Sequence, residues 1–215
     1  MIFAVDVGST LAGRRGVAFA WCGVKDESGP VETGTSPVDL VSCIEREILA
    51  GNHVSLGLEA PLFLPVPDDA INLSRGRENE GNRSWAAPAG GYVATLALHQ
   101  AAWILGRLHK TCSRFCTIET DPSVWEAREK AQLPVLFCWE AFVSGPAHGS
   151  HPGDAATAAM YFYSNQSCLT TAVTAENPIS VFGAALLWSG WSRDVGCLHQ
   201  PLVVLRPEVA WSAEK

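Results

Sequence analysis

Four acids in this chain each interrupt or end an apolar run. Asp6 falls in "IFAVDV", Glu59 ends "VSLGLE", Glu140 sits in "PVLFCWEAFV", and Asp154 opens "DAATAAM". Aspartate and glutamate are rarely buried without a partner or a metal. Carboxylates collected into one pocket repel one another, and a hard divalent cation with oxygen ligands is their natural counter-ion. Asp6, Glu59 and Asp154 are therefore candidate metal ligands, flanked by Glu140. His151, three residues before Asp154, adds an imidazole that can bind metal or move a proton. Each residue alone has a plainer role. Asp6 and Glu59 can end strands, Glu140 can face water from an edge strand, and Asp154 can favour the positive end of a helix. His148 reads as a surface-loop histidine. The chemistry lies in the constellation.

A second cluster lies between Glu59 and the next long helical pattern. Residues 61–91 hold several prolines and glycines and most of the local charge, in "SRGRENEGNRSW". A loop of that length inside a compact domain is usually functional or mobile. Arg75, Arg77 and Arg83 stand near Trp85 in it. Guanidinium groups grip phosphates bidentately and aromatic rings stack on bases, so these four are candidate substrate contacts. Pairing of the arginines with Glu78 and Glu80 is the alternative.

The elements that must position these groups follow from periodicity. "IFAVDV" reads as a strand buried on both faces, followed by strands at "GVAFAWCGV" and "PVETGTS" in an antiparallel meander. Ser36 and Pro37 open a helix that Gly51 closes. "HVSLGLEAP" is a strand, "YVATLALHQAAWILGRLHK" a long helix, and "RFCTIET" and "PVLFCWEAF" are strands around a short helix in "DPSVWEAREKAQ". "GDAATAAMYFYSNQ" and "PISVFGAALLWSG" read as helices, and "PLVVLRPEV" as a closing strand. The expected fold is α/β: three antiparallel strands, then parallel ones, with helices on both faces of a mixed sheet. It is read as a single domain over 1–215, with the 61–91 loop at its site.

A formal charge of −7 argues against a broad basic surface for duplex nucleic acid. A small or single-stranded target fits it better. The seven cysteines show no CxxC pairing and sit mostly in apolar surroundings, as reduced thiols do. With neither a signal-peptide pattern nor a membrane span, the expectation is a cytoplasmic protein with no membrane partner. The oligomeric state stays open, a homodimer included.

In order and spacing, residues 1–165 resemble the ribonuclease-H-like superfamily. The resemblance rests on the acid in the first strand ("AVDVGST"), the acid ending the fourth ("LGLEAP") and the acid opening a late helix ("HPGDAATAA"). His151 and Asp154 resemble the (Asp/His)-x-x-Asp element of bacterial Holliday-junction resolvases. "CWEAF" followed by "DAATAA" is similar to the uncharacterised DUF429-type branch. The resemblance implies that Asp6, Glu59 and Asp154 hold Mg²⁺ (or Mn²⁺), with Glu140 and His151 completing a catalytic set. It also implies metal-dependent phosphodiester hydrolysis of a nucleic acid or nucleotide.

Two rival readings stand beside it. "DVGST" is similar to the first phosphate loop of actin-like sugar kinases, although no second loop of that type follows. A ribonuclease-H-like scaffold that only binds is the other. A nucleophilic triad is disfavoured, because no G-x-S-x-G elbow is present and Ser144 near His148 reads as a turn.

Overall fold

The computed structural model describes residues 1–11, 18–81 and 84–212. Strands β1 (Ile2–Asp6), β2 (Ala20–Val24) and β3 (Pro30–Gly34) form the antiparallel meander. Helix α1 (Pro37–Leu49) follows, and the Ser36 side chain caps it by accepting the Asp39 N–H. Strand β4 (Val54–Glu59) then lies parallel to β1.

Past β4 come a short strand β5 (Phe63–Pro65), helix α2 (Pro88–Cys112), strand β6 (Thr117–Glu119) and the one-turn helix α3 (Pro122–Glu126). Strand β7 (Val135–Ala141) is buried along its whole length. Helix α4 (His151–Asn165), strand β8 (Pro178–Ser180), helix α5 (Val181–Ser189) and strand β9 (Val204–Leu205) complete the chain. The main sheet runs β3-β2-β1-β4-β7-β6, parallel from β1 onward, with β9 pairing β7 beyond the short β6. This is the ribonuclease-H-like arrangement of a mixed sheet.

Alternation along the strands divides the core into two layers. Phe3, Val5, Leu56, Leu58, Leu136 and Cys138 face α1, α2 and α5. Ile2, Ala4, Phe137, Trp139 and Ala141 face α4 and Trp125. Small residues decide how closely α4 approaches. Its inner face carries Ala155, Ala156, Ala158 and Ala159, all buried. Under it, Gly57 leaves room for Trp139; a Cβ at that glycine would lie 2.3 Å from the indole. The indole donates to Ser55 Oγ at 2.7 Å and stacks on Phe162 with centroids 4.8 Å apart.

Two boundaries differ from the periodicity. Helix α2 begins at Pro88 rather than Tyr92, because proline suits a first helical position. "PIS" is a strand rather than the start of α5: it pairs antiparallel with β5, and the Ser180 side chain caps α5 by accepting the Gly183 N–H at 2.9 Å. The described cysteines are all free thiols. Burial pushes Cys22 up to about 12, so it stays protonated and packs as a small apolar group. No helix among the described residues is long and apolar enough to cross a membrane.

Candidate metal centre

Asp6 and Glu59 end adjacent parallel strands and are direct register partners. Their side chains therefore leave the sheet on one face, the face that carries α4. The first turn of α4 arrives over the same strand ends. Its N-cap is Ser150, which accepts the Gly153 N–H, so Asp154 one position further on is released from capping. Asp154 is 1% exposed and accepts the Gly149 N–H through Oδ1 at 2.6 Å.

The turn before α4 delivers a residue that the sequence reading set aside. Gly145 takes a left-handed φ of 60°, and the tight turn over Gly145–Ala147 brings His148 back against the helix. His148 Nδ1 lies 2.6 Å from Asp154 Oδ2, yet off the direction of a hydrogen bond, so that buried oxygen has no donor. Glu59, His148 and Asp154 each present one ligand atom, all within 4.8 Å of one another. An imidazole nitrogen and two carboxylate oxygens facing inward are a donor set suited to a divalent cation. The residues fit a metal, and the buried Asp154 oxygen is the strongest sign of it. In sequence the only trace of His148 was the "HGSH" spacing before Asp154.

Asp6 stands beside this triad, with Oδ2 2.5 Å from His151 Nδ1. Burial pushes its carboxyl up to about 6; His151 pulls it back, and the charge of Asp154 adds to the rise. Two His–Asp pairs thus sit side by side, each with its aspartate buried and its histidine more exposed.

Glu140 does not join them. It pairs in register with Leu58, one position short of Glu59, and so faces the opposite layer. There it meets Arg77. The guanidinium reaches Glu140 at 2.6 and 2.8 Å and Glu80 at 2.9 and 3.1 Å, with a longer contact to the Phe63 carbonyl. Those contacts use all five N–H donors of an arginine. Glu140 also accepts the Leu62 N–H, and Glu80 accepts the Trp85 N–H. Burial pushes the Glu140 carboxyl up and the Arg77 charge pulls it down. The carboxylate in the apolar strand is thus matched by an arginine carried in from the 61–91 loop.

That geometry revises the substrate contacts read from the loop. Arg77 is 4% exposed and has no donor left for a phosphate. Arg75 is exposed but lines a separate cavity of about 400 Å³ with Pro65, Pro67, Asn72 and Glu176. The Trp85 indole donates to the Arg75 carbonyl at 3.1 Å. Arg83 lies outside the described residues. Ser144 is buried, and its hydroxyl has no hydrogen-bond partner, so no Ser144–His148 pair forms. Comparison with protein-family models, curated proteins and solved structures finds no match to this chain.

Proposed function

We propose that this protein is a divalent-metal-dependent phosphodiester hydrolase of nuclease type. The observation that carries the reading is the convergence of Glu59, His148 and Asp154, with a buried Asp154 oxygen that lacks a donor. Glu59 and Asp154 are held on rigid elements, a strand end and a helix turn, as a site requiring sub-ångström placement needs. The nitrogen ligand from His148 suits Mn²⁺ at least as well as Mg²⁺. A bound ion would supply Lewis-acid polarisation of a phosphoryl oxygen and a more acidic water.

The protein's own groups do the rest. Asp6 holds the His151 imidazole by Nδ1, which fixes its orientation at the rim. A histidine so held can take a proton from the attacking water or return one to the leaving oxygen. The resemblance of residues 1–165 to ribonuclease-H-like nucleases accords with this assignment, and the net charge of −7 favours a small or single-stranded substrate over a long duplex.

A second reading, a metal-binding module without turnover, draws on one observation: Arg77, which the loop brings in, is committed to Glu80, Glu140 and the Phe63 carbonyl. Cleavage of a short single-stranded oligonucleotide with Mn²⁺ separates the two. Turnover that is lost in Asp154→Asn supports the hydrolase; Mn²⁺ binding without turnover on DNA or RNA leaves the module.

A further inference from the structure

A cavity of about 320 Å³ opens directly beside Glu59, between the ends of β4 and β7 and the first turn of α2. Its size falls at the lower end of small-molecule sites, which run ~300–1,000 Å³. Ala141, the register partner of Glu59, leaves the space open on the β7 side. On the other side, Gly90 lets α2 press against the loop: a Cβ there would lie 2.5 Å from the Ser84 carbonyl.

The wall combines apolar side chains with charges that are already spent. Ala60, Pro61, Val93, Phe142 and Val143 line it. Arg77, Glu80 and Glu140 also border it, but they bind one another and the Leu62 and Trp85 N–H groups. Neither is the α2 terminus a strong anion cradle. Pro88 has no N–H, and the Gly90 N–H bonds the Ala87 carbonyl. The cavity therefore suits an uncharged group with apolar faces, and Ser84, another lining residue, offers a hydroxyl to orient it. Glu59 belongs to both the wall and the metal triad, so the cavity lies next to the candidate metal site at the end of β4.

Resting on the phosphodiester reading above, we propose that this cavity is a subsite for one unstacked nucleobase of the nucleotide whose phosphate meets the metal. An occupant of this kind explains how an acidic protein can hold an anionic substrate: affinity comes from the ring, and the phosphate is neutralised only at the metal.

The test compares deoxyadenosine and thymidine 5′-monophosphates with deoxyribose 5-phosphate, by calorimetric titration of the whole chain in Mn²⁺. At least one base-bearing ligand should bind roughly tenfold or more tightly than the sugar phosphate, the scale of burying and stacking one base. Val93→Phe, which fills the cavity, should erase that advantage and leave Mn²⁺ affinity unchanged. The wild-type comparison stands even if the variant does not fold. Mn²⁺ binding with no preference for either base overturns the subsite alone. Absence of Mn²⁺ binding overturns the metal reading, and the subsite with it.

Discussion

Glu59 and Glu140 lie one register step apart on neighbouring parallel strands, and that step puts their carboxylates on opposite faces of the sheet. Glu59 shares its face with Asp6, Asp154 and His148; Glu140 shares the other with Arg77 and Glu80. Two carboxylates of similar appearance in sequence therefore have different work. One faces a site that can hold a cation, and the other anchors the long loop that walls the adjacent cavity.

Because Arg77 is buried with both its acids, removing a partner leaves an uncompensated charge. Glu140→Ala and Arg77→Ala should each cost ~3–5 kcal/mol in urea denaturation. Arg77→Lys should recover only part of that, since an ammonium cannot span two carboxylates with a planar fork. A stable Glu140→Ala protein that has lost Mn²⁺ binding would instead return Glu140 to the metal site.

Metal binding should be visible as stabilisation. At free Mn²⁺ a hundredfold above its dissociation constant, the gain is ~2.7 kcal/mol, or a melting temperature higher by about 5–10 °C for a chain of this size. Glu59→Gln and Asp154→Asn should abolish the shift. An equal shift in both variants would place the ion elsewhere.

His148 and His151 should separate by role. His148→Ala removes a candidate ligand and should weaken Mn²⁺ affinity strongly, whereas His151→Ala removes the partner of Asp6 and should lower turnover more than affinity. Loss of an orienting partner beside a metal site typically costs ~10–100-fold. Manganese electron paramagnetic resonance reads the affinity directly, and the reverse order of effects would exchange the two assignments.

Asp6 predicts a pH slope in the metal-free protein. Its folded-state carboxyl is raised to about 6 from 3.8, mainly by burial, so the folded state holds this proton more tightly than the unfolded chain. Stability should therefore fall as pH rises from about 4 to 6, by at most ~3 kcal/mol, and level off above. Asp6→Asn should remove this component, keep or raise the melting temperature at neutral pH, and lose activity. Denaturation midpoints at pH 4.5 and 7 check the sign; a midpoint that rises with pH only in the wild type would show that Asp6 is stabilised as the anion.

Much was written locally in the chain. Strand alternation, the Ser36-Pro37 helix start and the alanine run of α4 are nearest-neighbour matters, so the order of elements and the mixed sheet follow from them. The acids too could be singled out, because each breaks an apolar run. Which face an acid takes depends on the register between strands far apart in the chain, Asp6 with Glu59 and Leu58 with Glu140, and no local period encodes that. Only the fold could set Asp6 against Glu59 and turn Glu140 away. The same holds for His148, brought to Asp154 by a left-handed turn, and for Arg77, whose five donors are claimed by two acids and a carbonyl. The sequence by itself names the groups able to do chemistry; packing alone decides which of them share a pocket, because burial and pairing are properties of neighbours in space.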